Sequence, residues 1–219
     1  MRFLLISIIV IGLAGCSGPS FQVRQLNDSY DGITGQVLSG SDNRISSQSI
    51  TGGTHIDASG MFLDPVAHVA EDGSIVASFF WAAHRTTNDS FMRYGGIQSV
   101  AIKADGELIR LVPSSSNLQL GDVEYNTVSR SAGYAVTETA MLPVTIAQIR
   151  QIAEAGTISI KVTGGQQAHV YEPQAIAASF QPNLQAFLQA IEGDLAVEAS
   201  VTVAPSATNR AINPPKPLP

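Results

Sequence analysis

The chain has 219 residues, a formal net charge of −6 at pH 7 and only 14% charged residues, against roughly 25% in typical soluble domains. This length is enough for one domain with a real hydrophobic core. An acidic chain without a basic run cannot neutralise many phosphates, which argues against nucleic-acid binding. The sequence equally lacks a polybasic segment that would attract anionic lipid headgroups. Any attachment to a membrane is therefore expected to be covalent.

The N-terminus has the three parts of a secretory signal. Arg2 supplies a positive charge, an apolar run follows it, and small residues precede Cys16. The uncharged stretch 3–15 is 13 residues long, whereas a membrane-spanning helix needs roughly 20. The stretch is therefore predicted to be a signal peptide (residues 1–15) rather than a permanent transmembrane helix.

The motif Leu13-Ala14-Gly15-Cys16 resembles the lipobox of bacterial lipoproteins, and the resemblance covers residues 1–17. It implies cleavage before Cys16, fatty acylation (palmitate-type chains) of that residue, and a cell-envelope location. Ser17 stands where the family carries Asp as an inner-membrane retention signal, so the outer membrane is favoured. Two or three chains anchor stably, because each buried CH₂ contributes about 0.8 kcal/mol. The alternative is an ordinary secreted protein with a chance cysteine near the cleavage site.

Three regions are predicted after the signal peptide. Residues 16–20 form a lipidated tether, 21–200 a single globular domain, and 201–219 a proline-rich disordered tail. Cys16 is the only cysteine, so the exported domain has no internal disulfide and depends on its core.

The domain is predicted to be α+β and β-rich, an antiparallel sheet or sandwich with a helical cover. Residues 21–61 suggest irregular strands and loops, and 74–83, apolar on both alternating faces, suggest a central buried strand. Asp105-Gly106 predicts a tight hairpin turn. The remaining predicted elements are a hairpin of strands 97–103 and 107–112, a β-compatible stretch 123–142, strands 157–163 and 168–171, and a C-terminal helical segment from Pro173, with Pro182 in a first turn.

A short helix is predicted near 145–155. Thr145 and Gln148 match a capping box, in which each side chain hydrogen-bonds the backbone N–H of the other. Gly156 is placed to end this helix. In the C-terminal segment, a second helical stripe consists of Leu184, Phe187, Leu188 and Ile191.

No catalytic, metal or cofactor site is predicted from the candidates. The densest possible ligand set is His55, Asp57, Asp64 and His68, but its spacing matches no known zinc site and favours polar residues of a surface loop. Asp28 and Asp31 resemble a calcium loop only faintly. A Gly-x-Ser-x-Gly nucleophile turn is absent. The carboxylates available for glycoside hydrolysis are Glu71, Asp72, Asp122, Glu124 and Glu138, with Glu71-Asp72-Gly73 better explained as a turn.

Two histidines and an aromatic cluster complete the candidates. His84 is expected where the central strand emerges into solvent. His169, between two apolar residues, is expected at an exposed strand position. The aromatic side chains are expected to pack in the core, or to line a groove for an apolar ligand; they are Phe79, Phe80, Trp81, Phe91 and Tyr94.

Three functions follow as hypotheses. The first is a membrane-anchored envelope lipoprotein with a non-enzymatic binding, adaptor or assembly role. The second is an envelope-directed hydrolase using carboxylates or a loop metal. The third is an apolar-ligand carrier, which requires an enclosed apolar cavity near Trp81. No cofactor and no nucleic-acid partner are expected.

Overall fold

Two antiparallel sheets and two α-helices form the part of the chain that the structure describes. The structure is a computed structural model and describes residues 21–26, 35–46, 60–87, 94–126 and 131–201. The elements in chain order are β1 (Gln22–Leu26), β2 (Gly35–Ser41), β3 (Gly60–Ala70), β4 (Ile75–Thr87), β5 (Ile97–Ala104), β6 (Glu107–Leu111), β7 (Ser115–Asn126), β8 (Ser131–Pro143), α1 (Ile146–Glu154), β9 (Ile158–Gly164), β10 (Ala168–Tyr171) and α2 (Phe180–Val201), with a short 3₁₀ helix at Pro173–Ala175.

The large sheet has six strands in the order β1-β2-β3-β4-β8-β7, and the small sheet has four in the order β10-β9-β5-β6. Every described pairing within them is antiparallel. The prediction of a β-rich α+β domain with antiparallel sheets and a C-terminal helix is therefore confirmed.

One apolar core joins the two sheets and both helices. Alternate residues of β3, β4 and β8 face this core from the large sheet. We call the side of the large sheet that contacts the core its inner face, and the opposite side its outer face. The predicted stripe on α2 is confirmed, since its four side chains are buried in the same core. Typical core residues are Leu63, Phe80, Leu142, Ile102, Ile160, Ile152, Leu184 and Phe187.

Strand β3 lies where the sequence predicts a surface loop around Asp64 and His68, and it contains Pro65. The backbone groups of Met61 and Leu63 bond toward the β2 side, through Ile45 N–H and the Asn43 carbonyl, so the nitrogen of Pro65, two residues on, points the same way. Regular pairing of β2 stops beside it, at Ser39 opposite Val66. A proline is tolerated inside this sheet because regular β2–β3 pairing ends at Ser39, and because Gly40 of β2 lacks a Cβ that would lie 2.9 Å from Pro65 Cδ.

The local predictions around the hairpin and α1 are confirmed. Asp105 and Gly106 have φ of 48° and 91°, as a tight turn between β5 and β6 requires. Thr145 Oγ1 accepts from Gln148 N at 3.2 Å and Gln148 Oε1 accepts from Thr145 N at 3.0 Å. The stretch 123–142, by contrast, is divided between β7 and β8, which pair with each other.

Helix α1 ends against α2. Gln181 Nε2 donates to the carbonyls of Ile152 and Ala155 at 3.0 and 2.7 Å. Gln185 Nε2 donates to the Ala153 carbonyl at 2.9 Å. These amides satisfy carbonyls that a helix leaves without partners at its C-terminus. The second helix thus caps the first from the side.

Candidate functional site

A buried carboxylate, Glu138, lies on the inner face of the large sheet. Glu138 in β8 is opposite His84 in β4, and the two residues are 0% and 2% exposed. His84 Nδ1 lies 3.0 Å from Glu138 Oε2. A protonated Nδ1 donates to the carboxylate in this arrangement, and the ring orientation follows from it.

The loop before β5 folds its backbone around the same carboxylate. Tyr94 N donates to Oε2 at 2.9 Å, and the N–H groups of Gly95 and Gly96 donate to Oε1 at 2.7 and 3.0 Å. The two glycines have φ of 74° and 84°, which glycine adopts without strain. Three consecutive N–H groups aimed at one anion form a backbone nest. Here the anion is a side chain of the large sheet, and the nest leads into the small sheet.

The hydrogen bonds decide the ionisation of Glu138. Burial by itself raises its pKa, but the bonds from His84 and from the Gly96 and Tyr94 backbones outweigh burial and lower the pKa from 4.5 to about 2. Both oxygens are engaged and the residue has no exposed surface. A substrate cannot reach it as a general acid, base or nucleophile would require. We name Glu138, His84, Tyr94, Gly95 and Gly96 the Glu138 clamp.

Two tyrosines extend the clamp toward β10. The rings of Tyr94 and His84 meet edge to face, with centroids 4.9 Å apart. The hydroxyl groups of Tyr94 and Tyr171 are 3.3 Å apart. Burial raises the pKa of both phenols, to about 12 for Tyr171. Both tyrosines are therefore neutral hydrogen-bonding groups that tie the small sheet to the clamp.

A second buried carboxylate, Asp64, lies on the outer face of the large sheet. It is 6% exposed and opposite Trp81 in the β3–β4 register. Asp64 Oδ1 accepts from Asn43 N at 2.7 Å. Burial raises its pKa from 3.8 to about 6, and the backbone hydrogen bond from Asn43 offsets only part of that.

Of the candidate metal-ligand set, which the sequence favoured as polar loop residues, only Asp64 and His68 lie among the described residues. Asp64 and His68 lie four positions apart on one face of β3, roughly 13 Å along the strand at about 3.3 Å per residue. His55 and Asp57 lie outside the described residues. In the described ranges no group of three or more His, Cys, Asp or Glu could hold a metal ion. The expectation of a surface loop is wrong for Asp64 and His68, because both lie in β3.

The other carboxylates are placed only in part. Asp72 Oδ1 accepts from Ser74 N at 2.9 Å, and Gly73 N donates to the Ala70 carbonyl, which confirms the predicted turn after Glu71. Asp122 and Glu124 lie in β7. Asp28 and Asp31 lie outside the described residues, as does the proposed lipid-bearing Cys16.

Both histidine predictions are wrong in burial. His84 does not emerge into solvent, because β4 continues to Thr87 and carries it on the inner face. His169 is half-buried, its ring 4.6 Å from that of Tyr171, and burial lowers its pKa. Its neighbour Val170 is instead 43% exposed. The predicted alternation of side chains along β10 was correct, but His169 faces the core and Val170 faces solvent.

The aromatic cluster divides between the two faces of β4. Phe80 and Tyr94 are fully buried in the core, whereas Trp81 on the outer face is 41% exposed. Phe79 is half-buried on the outer face, and Phe91 lies outside the described residues. The prediction of core packing is confirmed for two of these residues and wrong for Trp81.

The outer face around Trp81 combines aromatic, sulfur and guanidinium groups. Met141 flanks Trp81 from β8. The guanidinium of Arg85 lies 4.6 Å above the Phe62 ring, and its Nη1 is 3.1 Å from Asp42 Oδ1. The outward positions of β3, β4 and β8 hold no Lys or Glu. We name Trp81, Phe79, Met141, Arg85 and Phe62 the Trp81 face.

An open apolar groove of about 520 Å³ lies elsewhere, at the start of β4. Its walls come from the start of β4 and from the β8–α1 junction, and they include Val76, Pro143 and Ile146. Trp81 does not line it. The groove is therefore different from the enclosed cavity that the apolar-carrier hypothesis places near Trp81.

Comparison with known proteins adds no assignment. No family model, no curated protein and no solved structure matches the chain. Among the described residues no helix combines the length and apolar character needed to cross a membrane.

Proposed function

We propose that this protein is a lipid-anchored cell-envelope protein with a non-enzymatic binding or adaptor role. Cys16 carries the anchor, and the Trp81 face of the large sheet contacts a protein partner. The observation that carries the binding role is a 41% exposed tryptophan flanked by Met141 on a central strand of the large sheet. Localisation at the outer membrane is part of the same proposal.

The anchor is supported by the lipobox-like motif ending in Cys16. The apolar stretch before it is too short to span a bilayer, so retention at a membrane needs the acyl chains. Two or three chains provide that retention without any transmembrane helix.

The binding role is supported by the composition of the Trp81 face. Tryptophan, methionine and arginine are enriched in protein–protein interfaces, and lysine and glutamate are depleted. Trp81, Met141 and Arg85 supply the first group, and outward positions of the three central strands lack the second. Asp64, opposite Trp81 in the β3–β4 register, is buried and bonded to Asn43 N, so the aromatic, sulfur and guanidinium groups make up the exposed surface.

A non-enzymatic role is supported by how the buried acid–imidazole pair is used. Both Glu138 oxygens accept hydrogen bonds from the protein itself. A hydrolase needs an acid or nucleophile within reach of the scissile bond. The Glu138 clamp holds its carboxylate away from solvent.

The anchor is tested by Cys16→Ala, followed by mass spectrometry of the mature chain and fractionation of cell membranes. We expect loss of acylation and accumulation of unprocessed precursor. A wild-type mature chain of unmodified mass, starting at or near Cys16, would refute the anchor.

The binding face is tested by a photo-crosslinking amino acid at position 81 in intact envelopes. Position 118 is the matched control, because Leu118 is 43% exposed on edge strand β7. We expect one protein adduct from position 81 and none from 118, and we expect Met141→Arg to reduce the adduct at least tenfold with an unchanged Tm. Equal adducts from both positions, or no effect of Met141→Arg, would contradict the assignment.

A further inference from the structure

The outer face of the small sheet collects cations that are far apart in the sequence. Lys103, Arg110 and Lys161 are exposed residues of β5, β6 and β9. Arg110 and Lys161 both pair with Ala101, one from each side, and Lys103 lies two residues along the same strand. Strands about 4.8 Å apart place Arg110 and Lys161 roughly 10 Å from each other. Three positive charges thus occupy a small area of an acidic protein.

Within the four strands no outward position of this face carries a carboxylate, and the exposed, extended Glu172 follows β10 directly. The other outward positions of the small sheet are Ser99, Leu108, Ser159, Thr163, Ala168 and Val170. Asp105, at the hairpin turn, accepts from the backbones of Gly156 and Thr157. Glu107 accepts from Gln151 of α1. In the described part of the chain, none of the ion pairs involves one of the three cations.

Exposed aliphatic side chains stand among the cations. Leu108 and Val170 are 59% and 43% exposed on this face, and Val112, next outward on the β6 edge, is 62% exposed. Apolar side chains that enter a headgroup layer, surrounded by Lys and Arg, are typical of proteins that lie on an anionic bilayer. A protein surface of this kind without such a partner would expose apolar area to water.

We infer that the outer face of the small sheet lies on the anionic lipid headgroups of the membrane that holds the anchor. This inference rests on the proposed lipidation of Cys16. Four residues lie between Cys16 and Phe21, and the five Cα–Cα steps span at most about 18 Å, so the domain stays close to the bilayer. The anchor supplies proximity, and the cations and aliphatic residues supply orientation.

The Trp81 face gains from this orientation. Each sheet turns its outer face away from the shared core, so a membrane on the small sheet leaves the large sheet facing outward. Trp81 is then available to a protein partner rather than to lipid.

The orientation is tested with a fluorophore on a single introduced cysteine. Cys16 is the only native cysteine and its sulfur is acylated in the proposal, so Ser159→Cys provides the one free thiol. The mature chain is reconstituted into vesicles of phosphatidylcholine alone or mixed with phosphatidylglycerol. We expect a blue-shifted emission and loss of iodide quenching at position 159 only with phosphatidylglycerol. Asn117→Cys, exposed on the large sheet, is the control and is expected to stay unchanged.

The charges are tested by Lys103→Gln/Lys161→Gln against Arg24→Gln/Arg150→Gln, which removes the same charge from other surfaces. Each cation near an anionic surface contributes about fivefold, so the first pair should weaken the phosphatidylglycerol-dependent docking roughly 25-fold and the second less than twofold. Docking should also weaken with added salt.

The outcomes separate the two proposals. Lipidated protein whose label at 159 ignores phosphatidylglycerol overturns the orientation and leaves the anchor intact. A mature chain labelled at two thiols shows that Cys16 is free and overturns the anchor. Equal loss of docking in both double variants means unspecific attraction and also overturns the assigned face.

Discussion

The two buried carboxylates of the large sheet lie on opposite faces and have opposite protonation behaviour. Glu138 on the inner face has a pKa lowered to about 2, and Asp64 on the outer face has one raised to about 6. Both are almost completely withdrawn from solvent. The difference lies in the number of donors, since Glu138 accepts from His84 and three backbone N–H groups.

This contrast shows that burial alone does not determine the charge state of a carboxylate. Desolvation acts on both residues in the same direction, and hydrogen bonds to the charged form reverse it in one case. The reversed case is the group that joins the two sheets. Asp64, whose pKa is raised to about 6, lies on the face of the large sheet that is proposed for binding.

The largest expected effect is that of Glu138→Gln. The neutral amide offers one acceptor where two charged oxygens received four donors, and an NH₂ would face backbone N–H groups. Removing one partner of a buried charge network costs about 3–5 kcal/mol, so we expect a loss of about 3 kcal/mol in the free energy of unfolding by urea denaturation.

The contribution of Glu138 to the free energy of unfolding should also depend on pH. Because the folded pKa of Glu138 is depressed, its contribution is present above about 4.5 and is lost as the pH falls toward about 2. Glu154→Gln, an exposed control on α1, should change stability by less than about 0.5 kcal/mol. A Glu138→Gln protein as stable as this control would contradict the clamp.

The second prediction is a gain in stability from Asp64→Asn. The folded pKa of Asp64 is raised, so the folded state binds the proton more tightly and stability falls as the pH rises from about 4 to about 6. The neutral asparagine keeps an acceptor for Asn43 N and removes the cost of charge. We expect about 2 kcal/mol of stabilisation at pH 8.

This gain should shrink to nearly zero at pH 4, where Asp64 is mostly protonated in the folded state. Unfolding curves of both proteins at the two pH values measure it. A gain of the same size at both would mean that ionisation of Asp64 is not its cause.

The third prediction concerns the nest itself, through Gly96→Ala. A Cβ at Gly96 meets no atom within 4 Å, so any cost comes from its φ of 84°. We expect a loss of about 1 kcal/mol, and a raised pKa of Glu138 in a carbon-detected NMR titration if the N–H moves. Gly106→Ala, also with open space and φ of 91°, is the control with a similar loss but no effect on Glu138.

The smallest effect is expected for Arg85→Gln. The ion pair with Asp42 is partly exposed on both sides, and such pairs contribute about 0–1 kcal/mol. Arg85 also lowers the pKa of Asp64, so its removal should raise that pKa further. An NMR titration of Asp64 that moves downward would contradict this electrostatic assignment.

Much of the fold could be predicted from local sequence patterns. The capping box at Thr145 and the Asp105-Gly106 turn each depend on a few neighbouring residues, and each was confirmed. The strand around Phe80 was confirmed as a strand, but its predicted burial on both faces is wrong, since Val76 and Trp81 are 63% and 41% exposed. Strand β3 was not found because Pro65 is normally excluded from a central strand. Pro65 is accommodated because regular β2 pairing ends at Ser39 and Gly40 has no Cβ to meet its ring, which is a property of two distant segments.

The candidate sites were less predictable than the elements that carry them. Glu138 and His84 are 54 residues apart, and neither flank suggests a partner. The Gly95-Gly96 pair before an apolar strand is the one sequence feature that indicates a positive-φ turn here. It does not identify Glu138, because a backbone nest has no fixed sequence spacing from the anion that it binds. The exposure of Trp81 could not be predicted, because an apolar strand has the same sequence pattern whether one face or both faces of its sheet are covered.

The sequence by itself determined the period-two strands, the helix start at Thr145, the tight turn and the motif at Cys16, because each depends on interactions between residues a few positions apart. Only the tertiary structure decided which carboxylate receives donors, which side of β10 faces inward, and that Lys103, Arg110 and Lys161 lie together. Strand order and register bring these groups into contact, and electrostatic interactions depend on distance in space rather than along the chain.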